Sequence, residues 1–143
     1  MSAENEALAR RFFEEMCNGR KLELADEILA PDHRYHDAQS PPSEPGPEGM
    51  KQIVAIYADG LDGRWEVHDV FSTDDRVAVR WTGHGVHNSE IMGLSPTGKD
   101  IRVDAITILR VADGKIAENW TVWDTLAMLQ QLGAVPAPAA ASA

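Results

Sequence analysis

The sequence predicts an α+β fold in which three N-terminal helices and a short C-terminal helix pack on a curved antiparallel sheet. Before residue 64 the apolar residues recur with a helical period, and after it they alternate as they do in strands. The resulting order of helix, helix, strand, helix, four-strand meander and final helix is typical of α+β domains. With 143 residues, the chain is close to the roughly 150 expected of a single domain.

Three helices are predicted in the N-terminal half. Apolar residues at four-residue steps indicate a helix over 3–18, which Gly19 is placed to close. A second, shorter helix over 21–30 stops before Pro31. The third helix begins at Pro47, and its apolar stripe consists of Met50, Val54, Tyr57 and Leu61.

The strands follow from alternation and from the turns between them. Segment 33–38 lacks a helical period and is predicted to be extended. Alternating segments at 65–71 and 77–81 flank the polar stretch TDDR, which predicts a hairpin. The run 101–111 becomes apolar on both faces, as a central strand does.

The C-terminal part ends the meander and adds one helix. The step Asp113-Gly114 is a strong hairpin signal and predicts a last strand over 115–123. Asp124 is placed to cap a helix over 125–132 that ends at Gly133. We therefore assign residues 1–133 to one domain and expect the uncharged Ala/Pro-rich tail, 134–143, to be disordered.

Charge and cysteine content exclude several classes of partner. Thirteen basic and twenty-three acidic residues give a net charge of −10, which repels nucleic acid and anionic membrane surfaces. Cys17 is the only cysteine, so no internal disulfide can form. The N-terminus lacks the apolar core of a signal peptide, and the longest apolar run, 53–58, is far shorter than a membrane helix. We expect a cytoplasmic protein that binds neither nucleic acid nor membrane.

Histidines and carboxylates are the candidate acids and bases. Both histidine pairs, His33 with His36 and His84 with His87, lie in extended segments, where positions three apart face opposite sides, so no metal site is expected. His33, His68 and His84 are interpreted as surface or rim residues, whereas His36 and His87 remain candidate proton carriers. Asp124 could be a desolvated acid or base, an N-cap, or both.

Aromatic residues concentrate in the predicted sheet. Trp65, Trp81, Trp120 and Trp123 could wall a cavity for a planar ligand, or they could fill the core or an interface. The pattern of the last strand does not say whether Trp120 or Trp123 turns inward. The chain contains no phosphate-binding glycine loop, nucleophile elbow or zinc-binding HExxH, so no cofactor is expected.

Two segments carry a family resemblance: GVHNSEIMGLSPTGKDI at 85–101 and RVADGKIAENWTVWDTLAMLQQLG at 110–133. They resemble the SnoaL-like polyketide or ester cyclases, a family with a fold like that of nuclear transport factor 2. The resemblance covers about 1–133. The matching positions are Gly85, His87, Gly93, Pro96, Thr97, Gly98, Lys99, Asp113, Gly114, Lys115, Ile116, Trp120, Asp124, Gln131, Leu132 and Gly133.

The resemblance implies a cone-shaped α+β barrel with an apolar pocket, assembled as a homodimer or homotetramer. It also implies cofactor-independent acid–base chemistry that ends in an intramolecular aldol closure. His87 and Asp124 lie on family motif positions, and His36 on a frequent one. Thr121 and Thr107 stand where the cyclases carry an aspartate and its companion histidine, and a threonine cannot act as that base.

The preferred interpretation is a cyclase-like enzyme acting on an apolar oxygenated small molecule such as a polyketide ester. Asp124, His87 and His36 are the candidate catalytic residues. The candidate substrate-binding residues are Trp120, Trp123, Asn119, Thr121, Thr107, Tyr57 and Trp81. Two alternatives remain: an epoxide hydrolase that uses Arg102, Asp104 and Asp124, and a non-catalytic small-molecule binding protein.

Overall fold

The computed structural model describes residues 2–136, with Ser2 described in its backbone only, and it confirms the α+β fold. Helices and strands follow one another in the predicted order. The helices are α1 (Ser2–Arg10, continued by a π-helical segment Arg11–Asn18), a 3-10 turn Leu22–Leu24, α2 (Ala25–Ile28), α3 (Pro47–Gly60) and α4 (Thr125–Gln131). The strands are β1 (Leu29–His36), β2 (Arg64–Thr73), β3 (Arg76–Val86), β4 (Asp100–Ala112) and β5 (Lys115–Trp123).

The five strands form one sheet in the order β1-β5-β4-β3-β2. All neighbours are antiparallel except β1, which runs parallel to β5. The edge strands β1 and β2 are not paired with each other, so the sheet is unclosed. Register shifts add one residue to β2, between Val67 and Asp69, and one to β5, where Ala117 lies opposite the step from Arg110 to Val111. These bulges bend the sheet.

The helix ends differ from the predictions in two places. The first helix ends at Asn18, but Gly19 keeps a negative φ of −75°, and the left-handed residue that reverses the chain is Arg20, with φ 59°. The Arg20 guanidinium donates to three backbone carbonyl oxygens, which holds this conformation. The second helix is shorter than 21–30, because Leu29 is already extended and pairs with Ile116 of β5.

The turns and the last helix match the sequence predictions. Asp113 and Gly114 both have positive φ, 52° and 74°, as a two-residue hairpin turn with right-handed strand twist requires. The side chain of Asp124 accepts a hydrogen bond from the backbone N–H of Ala127 at 3.0 Å, which is an N-cap for α4. Residues 137–143 of the predicted tail lie outside the described part of the chain.

The helices cover one face of the sheet, and this inner face forms the core. Along β4 buried and exposed residues alternate, and every second residue from Ile101 to Val111 is buried. Phe12, Phe13 and Met16 from the first helix pack against this face, while Met128 of α4 closes one end. No helix within residues 2–136 is long and apolar enough to cross a membrane.

Candidate active site

A cavity of about 90 Å³ lies between the inner face of the sheet and the helices α1 and α3. By the same measure about 10–15 Å³ holds one water molecule, so the cavity has room for a small ligand or for part of a larger one. Its wall is mostly apolar. The contributing side chains include Phe12, Met50, Val54, Tyr57, Trp65 and Trp81.

Strand β5 turns its polar residues toward this cavity. Asn119 and Thr121 are buried and line it together with Trp123, whereas Trp120 and Val122 face the opposite side. The pairing of β5 with β4 decides this orientation, because residues directly opposite each other point to the same face of a sheet. Asn119 lies opposite Leu109, whose side chain is fully buried in the core. The predicted residues Trp81, Tyr57 and Thr107 line the same cavity.

Among the described residues, Asp37 is the one carboxylate that lines the cavity. It follows β1 directly, and four donors converge on it. Oδ2 accepts from the Tyr35 hydroxyl at 2.9 Å and from the Ser40 hydroxyl at 2.7 Å. Oδ1 accepts from the Gln39 backbone N–H at 2.9 Å, and the Trp123 indole N–H reaches both oxygens at 3.1 and 3.3 Å.

The two tyrosines of the site are neutral hydrogen-bond donors. Burial raises the pKa of Tyr35 well above its usual value, and the neighbouring Asp37 carboxylate raises it further. Burial also raises the pKa of Tyr57. The Ser40 hydroxyl has one proton, which it donates to Asp37, so the Tyr57 hydroxyl is the donor in the 2.8 Å bond between Tyr57 and Ser40.

A second set of hydroxyls lies deeper in the cavity. The Trp81 indole N–H donates to the Thr107 hydroxyl at 2.9 Å, and the Thr107 hydroxyl lies 2.9 Å from that of Thr121. Burial raises the pKa of the Cys17 thiol, so Cys17 contributes an uncharged surface to the same wall.

Asn119 carries an unpartnered buried donor. Its Oδ1 accepts from Nε2 of the buried His33 at 3.0 Å, while its Nδ2 has no hydrogen-bond partner within the described structure. Leaving a buried amide N–H without an acceptor costs free energy, so this group is suited to donate a hydrogen bond to an acceptor on a ligand. Burial lowers the pKa of His33, which keeps the ring neutral. His33 is therefore a core residue, not the surface or rim residue predicted.

Three of the predicted residues lie away from the cavity. His36 is at an outward position of β1, where its Nε2 is 2.7 Å from a Glu118 oxygen and its ring stacks on Trp120. Trp120 is consequently also on the outer face. Asp124 is exposed and caps α4, and it is not part of the cavity wall.

His87 is fully buried and does not line the cavity. The Thr97 backbone N–H donates to its Nδ1 at 3.2 Å, and the Thr97 hydroxyl lies 2.9 Å from the same nitrogen. The ring thus anchors the loop between β3 and β4. Arg102 and Asp104 lie on the outer face of β4, so the structure does not assemble the residues of the epoxide hydrolase alternative in the cavity.

Sequence reasoning missed Asp37 and Tyr35. The signal was present, because His33, Tyr35 and Asp37 alternate with the period of a strand whose other positions are charged or exposed. A carboxylate just beyond the end of a strand is a usual position for a functional residue on a rigid support.

Comparison with known proteins shows the family of the chain. The family model for the SnoaL-like polyketide cyclases matches residues 7–132. The chain belongs to the SnoaL-like polyketide cyclase family. No protein with a curated function matches it.

Solved structures of SnoaL-like proteins and their relatives have the same fold. IdmH from Streptomyces antibioticus, a proposed polyketide cyclase, is 34% identical with a TM-score of 0.74, over 90% of this chain and 98% of IdmH. TsrD from Streptomyces laurentii is 28% identical with a TM-score of 0.82, over 93% and 97% of the two chains. AclR from Streptomyces galilaeus, a proposed hydroxylase, is 27% identical with a TM-score of 0.80, over 96% and 89%.

Proposed function

We propose that this SnoaL-like protein is a cofactor-independent acid–base enzyme acting on an apolar, oxygenated carbonyl compound such as a polyketide ester, with Asp37 as the proton acceptor. One observation carries the proposal. The cavity places a carboxylate, held by four donors, in an apolar and aromatic wall. General acid–base catalysis requires such a positioned group within reach of the substrate.

The oxygens of Asp37 differ in how fully they are used. Oδ2 accepts from Tyr35, Ser40 and the shorter branch of the Trp123 indole. Oδ1 accepts only from the Gln39 backbone N–H and from the Trp123 indole N–H, whose contact with Oδ1 is longer than its contact with Oδ2. We therefore assign proton uptake to Oδ1.

The proposed reaction begins at a C–H bond beside a carbonyl group. Aspartate is a weak base, so the carbon must be activated by at least one carbonyl. Asp37 removes the proton, and the C–H electron pair moves into an enolate whose oxygen accepts from Asn119 Nδ2. The enolate carbon then attacks a second carbonyl of the same molecule, a C–C bond forms, and the resulting alkoxide regains the proton from Asp37. The family name supports this closure, and the unpartnered donor supports the enolate site.

The remaining predicted residues take other roles in this proposal. The rings of Trp81, Trp123 and Tyr57 surround the ligand, and Thr107 and Thr121 line the same cavity. Asp124 caps a helix and His87 anchors a loop, so neither exchanges a proton with the substrate. His36 and Trp120 lie on the outer face and do not contact the ligand.

Hydrogen–deuterium exchange at carbon tests the proposal directly. Ethyl benzoylacetate, a neutral aromatic β-keto ester, is incubated in D₂O at mildly acidic pD without cofactor, and loss of its acidic C–H signal is followed by proton NMR. We expect the wild-type protein to accelerate exchange and Asp37→Asn to lose about a hundredfold or more of that rate. The control is Asp124→Asn, which retains a good N-cap.

Two outcomes would contradict the proposal. Binding of such esters without any exchange would favour the non-catalytic binding protein. Hydration of epoxides that persists in Asp37→Asn would favour epoxide hydrolysis.

We further propose that two copies of the chain associate through the outer face of the sheet. Phe71, Ala78, Ile108 and Trp120 are successive cross-strand neighbours on this face, and Ile106 pairs with Val122 beside them. Phe71 is 63% exposed and Val122 77% exposed. Two pairs of opposite charge lie on the same face, Arg80 with Asp69 and Arg110 with Glu118. An exposed apolar row of this kind suits contact with a second copy of a chain that carries −10 overall.

A further inference from the structure

The polar groups at the Asp37 end of the cavity donate their protons to one another. Tyr35, Ser40, Trp123 and the backbone of Gln39 all donate to the Asp37 carboxylate. An ionised carboxylate only accepts, so the single proton of the Ser40 hydroxyl is used in its 2.7 Å bond to Oδ2. None of these protons is left over for a ligand.

The bond between Ser40 and Tyr57 therefore has one possible direction. The two hydroxyl oxygens lie 2.8 Å apart, and the Ser40 proton is already used, so Tyr57 donates to Ser40. Within residues 2–136 no other hydrogen bond involves the Tyr57 oxygen. A phenol oxygen accepts as well as donates. Toward a ligand, Tyr57 consequently offers lone pairs and no proton.

This acceptor lies beside the proposed base. Tyr57 and Asp37 both line the cavity, and two short hydrogen bonds through Ser40 connect the Tyr57 oxygen to Oδ2 of Asp37. Burial raises the pKa of Tyr57, so the phenol keeps the proton that it donates to Ser40. A group that meets the Tyr57 oxygen is thus close to the carbon that Asp37 deprotonates.

The opposite polarity occurs on β5. Asn119 is buried and lines the cavity, and its Nδ2 is a donor without an acceptor. A carbonyl oxygen matches Asn119, whereas only a hydrogen-bond donor matches Tyr57. A ligand whose oxygens only accept would cover the Tyr57 oxygen without pairing it, and an unpaired buried acceptor costs free energy.

We propose that Tyr57 is a specificity-determining residue that accepts a hydrogen bond from a hydroxyl group of the substrate. The substrate class is then a hydroxylated carbonyl compound, whose carbonyl oxygen meets Asn119 and whose hydroxyl meets Tyr57. That this ligand is a substrate rests on the proposed function. Tyr57 binds the hydroxyl and transfers no proton.

Raman spectroscopy tests the direction of the Tyr57 hydroxyl without a ligand. The Fermi doublet of a phenol reports whether its hydroxyl donates, accepts or does both. The chain has two tyrosines, so Tyr35→Phe leaves Tyr57 as the single reporter. We expect a phenol that only donates, and Ser40→Ala in this background should change the doublet because it removes the acceptor.

The control is Thr82→Val, which removes a buried hydroxyl that bonds Asp104 on the other face of the sheet and should leave the doublet unchanged. A Tyr57 phenol that only accepts, or a doublet that Ser40→Ala does not change, would overturn the proposal. If Tyr35→Phe does not fold, the difference between the wild type and Ser40→Ala reports the same bond.

Calorimetry with matched ligands tests the hydroxyl site. The probes are ethyl (3-hydroxybenzoyl)acetate and 2-hydroxyethyl benzoylacetate, which carry the hydroxyl at opposite ends, and each is compared with its methyl ether. We expect at least one hydroxyl probe to bind the wild type about three- to tenfold more tightly than its ether, as one neutral hydrogen bond predicts. This preference should disappear in Tyr57→Phe and persist in Thr82→Val.

Three outcomes would refute the role of Tyr57: ethers that bind the wild type as tightly as both hydroxyl probes, a preference that persists in Tyr57→Phe, or no binding of either hydroxyl probe. The first and third need only the wild type, so they decide the matter even if Tyr57→Phe does not fold. A wild-type protein that shows the preference but does not exchange the acidic C–H of ethyl benzoylacetate would refute the proposed function and retain the hydroxyl site.

Discussion

The hydroxyl of Tyr35 donates to Oδ2 of Asp37 across 2.9 Å, and the two residues lie two positions apart on the same inward face of β1 and its extension. Strand geometry alone brings them to one side of the sheet. The hydrogen bond then fixes the carboxylate against the wall, where the Trp123 indole meets it from β5. The site is thus built on two adjacent parallel strands, which are more rigid supports than loops.

Truncation of the α4 cap should affect stability and not chemistry. Asp124 accepts from the Ala127 N–H and is exposed, so Asp124→Ala should reduce the free energy of unfolding by about 1 kcal/mol. Urea unfolding measures this change, and the exchange rate per folded molecule should equal that of the wild type. A hundredfold loss of exchange with unchanged stability would show instead that Asp124 is a proton carrier.

Tryptophan fluorescence should separate the two faces of β5. Trp81 and Trp123 line the cavity, whereas Trp120 stacks on His36 on the outer face. Saturation with ethyl benzoylacetate should quench the wild-type protein, and the quench should be smaller in Trp123→Phe and in Trp81→Phe. Trp120→Phe is the matched control and should keep the full ligand-induced change. A quench that is lost only in Trp120→Phe would show that the ligand binds on the outer face and not in the cavity.

Burial of His33 should make the protein less stable at mildly acidic pH. Desolvation lowers the pKa of this histidine in the folded state, so below about 6.5 the unfolded chain binds a proton that the folded protein does not. The free energy of unfolding should therefore fall as pH decreases from 7 toward 5, by at most about 1.4 kcal/mol per pH unit for one proton. Urea unfolding at several pH values measures the slope.

The control for this pH dependence is His33→Gln, whose amide can still donate to Asn119. Its slope between pH 7 and 5 should be shallower than that of the wild type. Glu66 is exposed and Glu118 half-buried, and their histidine partners lower the pKa of each carboxyl, so both change charge at lower pH. Equal slopes for the two proteins would show that His33 does not titrate differently on unfolding.

A charge at the centre of the outer face should prevent association. Val122 is 77% exposed beside Ile106, and Val122→Lys would place two ammonium groups near the axis of a two-fold interface. Light scattering after size exclusion should give a monomer mass for Val122→Lys and a dimer or tetramer mass for the wild type. Leu126→Lys, at a position that is 58% exposed on α4, is the matched control. A wild-type monomer would refute the interface.

Much of this fold could be predicted from local chemistry. The change of period near residue 64, the Asp113-Gly114 turn, the helix start at Pro47 and the cap at Asp124 all depend on residues within a few positions of one another. Hydrophobic period and turn chemistry are local properties, so a single sequence contains them. The family resemblance over about 1–133 was visible for the same reason, and the family model confirms it over 7–132.

The composition of the site depended on the tertiary structure. Asp37 and Trp123 are 86 positions apart, and they meet because β1 pairs in parallel with β5, with Tyr35 opposite Asn119. A shift of that register by one residue would turn Trp120 inward and Asn119 outward, because side chains alternate between faces. The pattern of β5 alone permits both orientations. The sequence therefore determined the elements and the family, and only the packing of β1 on β5 decided which carboxylate reaches the cavity.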